Sequence, residues 1–538
     1  MKRSAFRINN EFSFRIFTTI ILCLTANQLL PQSAENSANS LEFEKYGNQV
    51  IATIGKVELT AQEFLLNYEF GPAFVKRMPE SKKKYLDLMI YEKILAMDGY
   101  TRGLDQEESV IRSCTAYEED IITEELFKDE VMDKVSVSED EITSALPEEQ
   151  KKISLRWLFT KKDADIFIEW NALEHGASFD SLYAEQLNDT VPADDRSMHI
   201  SSYRLSKNNP VLACVIDTLS AGNYTKPIKV TDGWYIVKVD QIFSEPVMTE
   251  TGLDKLRHEL ERSIYKQKLD IMSDIYVKEM MTYYSPQIDR NTFREVVYYI
   301  NKTARYPNSF DRASLDEHLT AENDQETDPE PAVQEQPVLV YGKSIRISLD
   351  EFIDWYRPRM AYLKFPEKTA VAFILAVQKT VWRMVRDILL VKKARALRLD
   401  QRESVRKQVK WWRDKIVYNA VKAEIMDSVT FTTEDLSDYY QKNRKDYLYS
   451  DGRIIPFEKA RGNVQSDYIR EKYMSEMMRR IIKLKAAYDI QINELVLAGI
   501  DVQDEEDPKT IDFYAVKKGG LLPRQPYPTI DWDWQVWY

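Results

Sequence analysis

The stretch Val50-Ile51-Ala52-Thr53-Ile54-Gly55-Lys56-Val57-Glu58-Leu59-Thr60-Ala61-Gln62-Glu63-Phe64 returns later in the chain as Val338-Leu339-Val340-Tyr341-Gly342-Lys343-Ser344-Ile345-Arg346-Ile347-Ser348-Leu349-Asp350-Glu351-Phe352. In both copies two short β-prone runs flank a Gly-Lys turn, the pattern of a strand pair. Each then offers a hydroxyl followed three residues on by Glu: Thr60 to Glu63 and Ser348 to Glu351. That spacing predicts a capping box at a helix start, with hydroxyl and carboxylate satisfying exposed backbone N–H groups reciprocally.

Working outward, the likeness continues. Leu104-Asp105-Gln106-Glu107-Glu108-Ser109-Val110 matches Leu399-Asp400-Gln401-Arg402-Glu403-Ser404-Val405, and Ser138-Glu139-Asp140-Glu141-Ile142 matches Thr432-Thr433-Glu434-Asp435-Leu436. A further match, Tyr284 with Ile288-Asp289 and Tyr488 with Ile492-Asn493, falls out of register by roughly 90 residues. The first half therefore carries an insert at 150–245. Its character differs from the flanks: strand-like Ile153 to Phe159, helices through Ala164 to His175 and from Phe179, then Ile228-Lys229-Val230 and Trp234 to Val239. The order β-α-α-α-β-β predicts a small α+β domain.

The expected organisation is a helical module from 48–148 plus 250–300, the inserted domain at 150–245, and a second helical module at 338–500. Between the modules, 315–337 carries eight acidic residues and no Lys or Arg, a solvated linker that makes the modules separate bodies. The tail at 501–538 is acidic and then aromatic. Ile530, Trp532, Trp534, Val536 and Tyr538 alternate with polar residues, a period-2 strand pattern. It is expected to pack on the protein's own surface, or to imitate the strands of a bound polypeptide.

Composition bounds the rest. At 538 residues the chain has room for three or four domains. Only 15 residues are Gly against 20 Pro, which disfavours glycine-rich barrels and phosphate loops, so the fold class is α+β, mostly helical. The formal charge of −13 gives no basic footprint for nucleic acid. Lys2, Arg3, Arg7 and Arg15 precede the apolar run Ile16 to Ala26, which reads as a signal peptide or N-terminal anchor within 1–34. Membrane contact is expected only through that segment, if it is uncleaved. Cys114 and Cys214 are expected as separate buried thiols. The scattered His175, His199, His258 and His318 show no zinc spacing. No metal or cofactor is expected.

Together, the strand-Gly-Lys-strand-Thr-x-x-Glu-Phe opening, the bundle ending at Val135 to Ile142, the inserted α+β domain and the long closing helix resemble the exported parvulin foldases of SurA, PpiD and PrsA type. The second half resembles the same chaperone module with nothing inserted. The resemblance implies a periplasmic chaperone that binds unfolded or proline-containing polypeptides, outer-membrane proteins among them, with the outer-membrane assembly machinery as a further expected partner. In that family the parvulin domain isomerises X-Pro bonds in a cleft ringed by histidines. Carried over by position, those histidines are Trp157 and Tyr235, His199 stands near the family's acidic residue, and Leu205 lies near its pocket methionine. With the polar centre replaced and scaffold residues such as Gly176, Phe179 and Gly222 retained, the domain reads as degenerate. Two other readings stay open: an active peptidyl-prolyl isomerase, and a structural subunit of an envelope complex.

Overall fold

Residues 47–187, 193–230, 233–304, 310–320, 337–366, 368–502, 521–522 and 524–537 are described by the computed structural model. The segment read as an export signal, residues 321–336 of the acidic linker, residues 503–520 and Tyr538 lie outside them. The architecture is α+β and mostly helical, in two units: residues 133–272, and everything before and after them.

The first hairpin is β1 (Val50–Ile54) and β2 (Val57–Thr60), turning at Gly55, whose φ of 57° favours a residue without a side chain. Helices α1 (Ala61–Glu69), α2 (Ala73–Lys76), α3 (Ser81–Thr101) and α4 (Glu108–Glu130) follow. Thr60 caps α1 by accepting the Glu63 N–H at 3.1 Å. The other half of the expected box is not made. Glu63 is buried, and its carboxylate instead accepts from Lys93 Nζ at 2.8 Å, because an uncompensated buried charge costs more than an open cap.

The unit at 133–272 runs α5 (Glu139–Gln150), β3 (Lys151–Thr160), α6 (Asp163–Glu174), α7 (Phe179–Gln186), β4 (Ser197–Ser201), α8 (Ser202–Asn208), α9 (Pro210–Ile216), β5 (Ile228–Val230), β6 (Gly233–Ser244) and the first part of α10 (Glu250–Tyr284). Its sheet has the order β4-β3-β6-β5, with every pairing antiparallel. The expected order lacked β4. That strand has five residues, and Met198 and His199 on it are exposed, so no alternation marked it. One face of the sheet packs Ile153, Leu155, Val237 and Val239 against Leu205, Ala213 and Ile216. The other packs Leu158 and Ile236 against Ile166, Leu173 and Phe179. Cys214 is exposed rather than buried, since α9 turns Ala213 and Ile216 inward; Cys114 is half-buried, and both thiols are free.

After α10 come β7 (Gln287–Ile288), α11 (Arg290–Thr303) and α12 (Arg312–Thr320). The expected linker began at Leu315, yet Leu315 is in α12 and 1% exposed, seated among Val296, Ile300 and Phe373. One apolar side chain on a short helix was hidden by the acidic residues around it. The second hairpin is β8 (Val338–Gly342) and β9 (Ile345–Ser348), followed by α13 (Leu349–Tyr356), α14 (Ala370–Ala396), α15 (Glu403–Asp427), α16 (Thr433–Lys442), α17 (Phe457–Lys485), β10 (Ile490–Ile492) and α18 (Glu494–Gly499). Here Ser348 and Glu351 do form the full capping box, at the surface.

The expectation of separate bodies fails at the third strands. β1 takes β10, with Thr53 opposite Gln491, while β8 takes β7, with Val340 opposite Ile288. Each hairpin thus completes its sheet from the other half of the chain. The cores follow the same exchange. Ile51, Phe64 and Tyr85 pack with Tyr418, Met474, Met477 and Leu497; Val296, Val297 and Ile300 pack with Leu339, Phe352 and Val381. Gly99 allows α3 to approach α15 closely, because a Cβ there would stand 2.6 Å from a Val417 methyl. With native cysteines replaced by serine, Thr53→Cys with Gln491→Cys should oxidise to one disulfide, since cross-strand partners meet its geometry. Thr53→Cys with Gln287→Cys should form none; the reverse result on non-reducing gels would restore the separate modules.

Candidate functional site

In the sheet unit, three of the four residues singled out by sequence come together. Trp157 on β3, Tyr235 on β6 and Leu205 on α8 belong to one apolar cluster with Ile153, Leu155 and Val237. Tyr235 lies 4.9 Å from the Phe159 ring. His199 is not with them. It sits opposite Ser154 on the neighbouring strand, while Ile200 pairs with Ile153 of the cluster; strand alternation places His199 on the other face. There its Nδ1 is 2.8 Å from Ser154 Oγ, and the ring is exposed. Where a polar isomerase centre would need converging hydrogen-bond groups, these positions hold packed aromatic and aliphatic side chains.

A second site was not legible in the sequence. In the larger unit, residues 521–522 and 524–537 lie along α3, α4, α15 and α17. Arg359 Nε donates to the Leu521 carbonyl at 3.1 Å. The buried Asp120 carboxylate accepts from the Leu521 and Leu522 N–H groups at 2.6 and 3.1 Å, and from Arg524 Nε at 2.5 Å. Arg524 also reaches Glu124 at 3.0 Å and is 1% exposed at its side chain. Further on, the Ile530 N–H donates to Asn67 Oδ1 at 3.1 Å. The Asp531 N–H and the Trp534 indole both donate to Glu92 Oε1, at 2.6 and 2.9 Å. Ile530 and Trp534 are each 1% exposed.

The tail therefore packs on the protein, but not as the expected strand. Residues Trp532–Trp537 form a 3₁₀ turn, which brings positions three apart to one side. That geometry lets the Asp531 amide and the Trp534 ring share one carboxylate, whereas alternation would send them to opposite faces. Trp532, Val536 and Trp537 are left exposed.

The ground beneath is charged and largely buried. Lys93 bridges Glu63 and Asp414, both at 2.8 Å, and the Tyr100 hydroxyl donates to Asp414 at 2.8 Å. Burial opposes the charge of Lys93, but its two carboxylate partners outweigh it and hold the ammonium above the ordinary lysine value. Burial also pushes the carboxyls of Glu63 and Glu92 up. Lys415 contacts Glu92 at 2.6 Å, and Lys422 contacts Asp531 at 2.5 Å as well as Asp533. Beside Pro528 a pocket stays open, lined by Glu63, Asn67, Glu92, Lys93, Asp414 and Lys415 among others.

No family model matches the sequence, and no curated protein does. Solved structures that are similar include the peptidylprolyl isomerase PrsA of Bacillus anthracis, 15% identical over 29% of this chain and 69% of that one, with a TM-score of 0.21. The foldase PrsA of Streptococcus pneumoniae is 13% identical over 41% of this chain and 92% of its own, with a TM-score of 0.20. A SurA-like chaperone of Campylobacter jejuni is 12% identical over 44% and 97%, with a TM-score of 0.20. Among the described residues no helix is long and apolar enough to cross a membrane.

Lys93→Met should lower the unfolding free energy in urea by about 3–5 kcal/mol, because two buried carboxylates lose their counter-ion. Adding Glu63→Gln and Asp414→Asn should recover much of that loss; no recovery would mean that shape rather than charge was lost. Acid gives a separate readout. Burial works against the charge of Asp531, yet Lys415 and Lys422 outweigh it and hold the carboxyl below its ordinary value. A depressed folded value means its contribution is complete above the unfolded value near about 3.9 and fades as pH falls through the folded one. Protection from hydrogen exchange of the Ile530 amide, whose acceptor Asn67 does not titrate, should thus hold from neutral pH to about pH 5 and fail only in stronger acid. Lys422→Ala should move that failure to higher pH, and an unmoved onset would place the anchor elsewhere.

Proposed function

We propose that this chain is an exported, periplasmic chaperone that holds unfolded polypeptides, outer-membrane proteins among them, and that residues 150–245 serve binding rather than prolyl isomerisation. One observation carries the reading. The larger unit already grips a stretch of polypeptide in part by its main chain: Asp120, Asn67 and Glu92 accept from backbone N–H groups, and Arg359 donates to a carbonyl. Main-chain hydrogen bonds give affinity without reading side chains, which is what a holder of many different clients needs. The resemblance of the two halves to the exported foldases points the same way.

The packing of Trp157, Leu205 and Tyr235 into one apolar cluster, with His199 across the sheet, supports a domain without isomerase chemistry. Lowering the barrier of about 18–20 kcal/mol to amide rotation needs polar groups converging on the twisted bond.

Two assays separate this reading from its rivals. Full-length chain should suppress aggregation of a diluted, unfolded outer-membrane protein, while a protease-coupled proline-peptide assay stays at the uncatalysed rate for the chain and for His199→Ala. Turnover that His199→Ala abolishes would make the protein an isomerase. A constant small set of co-purifying envelope proteins, with no protection of unfolded clients, would make it a structural subunit.

A further inference from the structure

The two halves of the chain solve one problem differently. Twelve residues before the turn at Leu399 stands Asp387, and twelve before the turn at Leu104 stands Glu92. Both carboxylates are buried on the long helix after a hairpin, and both accept from an indole. Asp387 takes Trp355 Nε1 at 3.1 Å, from the helix that follows its neighbouring hairpin. Trp355 lies three residues after Phe352; three residues after Phe64 the chain has Asn67 instead. With no indole supplied locally, Glu92 receives one from Trp534, 442 residues away.

We propose that residues 521–537 are a displaceable resident of a peptide groove, and that on their release the groove takes a client segment of the same chemistry. Such a segment carries an arginine near one end and, at the other, an apolar residue followed by two carboxylates and a tryptophan in a 3₁₀ turn. This rests on the reading of the chain as a polypeptide holder and names what one of its sites prefers.

Each element of that chemistry has a fixed receptor in the body of the unit. Asp120 and Glu124 receive the guanidinium, and the Trp412 ring lies 5.6 Å from it. Asn67 and Glu92 receive the backbone, Glu92 receives the indole, and Lys422 receives the two carboxylates. These receptors lie on α1, α3, α4 and α15, so none is contributed by the segment itself.

The probe is a fluorescein-labelled synthetic peptide of residues 521–538. Full-length chain carrying Asp531→Ala and Trp534→Ala, which weaken only the resident, should bind it at least tenfold more tightly than the unaltered chain, and adding Lys422→Ala should remove that gain. Equal binding by both chains, with unchanged circular dichroism, would make the segment a fixed strut and overturn the proposal. Should the double variant fail to fold, a protease site placed within 505–515 of the full chain and cut after folding gives the same decision. Exchange of the freed segment with labelled peptide supports the proposal, and retention without exchange overturns it. Aggregation of an unfolded outer-membrane protein separates the two readings. Peptide exchange without client protection would overturn the chaperone reading alone, and client protection equal in the unaltered and resident-weakened chains would overturn self-occupancy alone.

Discussion

A two-stranded hairpin is only marginally stable in water and leaves backbone groups along an edge in need of partners. In this protein both hairpins depend on a borrowed third strand. Once Ala52, Thr53 and Ile54 pair with Ile492, Gln491 and Ile490, α17 and α15 are drawn onto α3, and Tyr418, Met474 and Met477 enter a core begun by Ile51 and Phe64. The reciprocal pairing of β7 with β8 does the same for the second core. The groove that holds residues 521–537 exists only because α3 and α4 from one half meet α15 and α17 from the other.

What the sequence disclosed and what it withheld divide along the range of the interactions concerned. Hairpins, the paired turns at Leu104 and Leu399, and the caps at Ser138 and Thr432 each find their partners within a few residues, so pattern alone exposes them. The exchange of third strands is different. β7 has two residues and β10 three, too few to specify one hairpin over a similar one. Lys93, 30 residues on, takes the Glu63 carboxylate and pairs also with Asp414, 321 residues further; without those contacts the Thr60 to Glu63 spacing reads as an ordinary capping box. His199 is a cleft candidate only by its position near the acidic residue of the family the sequence resembles; nothing in Ser197 to Ser201 announces a strand, and it is the strand that turns its side chain to the other face. In the tail, true alternation suggested a strand; the decisive fact, one Glu92 oxygen serving both an amide and an indole, is long-range.

The two candidate sites differ in how they hold their contents. Trp157 and Tyr235 are half-buried and pack among the domain's own side chains. Along residues 521–537 the filling is a separate stretch of chain that the body grips through directional, charge-assisted bonds, which are the stronger class of hydrogen bond. Packing of the first kind forms once and stays. Contacts of the second kind can be remade by another peptide offering the same donors and acceptors.

Borrowed strands also set an order of events for the nascent chain. The contact of Trp534 with Glu92 joins positions 442 residues apart, and closing a loop of that length costs about 5 kcal/mol from the logarithmic term alone. Contacts so distant in sequence form late and make folding slow. As the chain emerges from its N-terminus, the first hairpin and α3 must wait, with Phe64, Tyr68 and Tyr85 uncovered, until residues beyond 490 arrive. For most of its synthesis the chain is itself an unfinished polypeptide with its core side chains exposed.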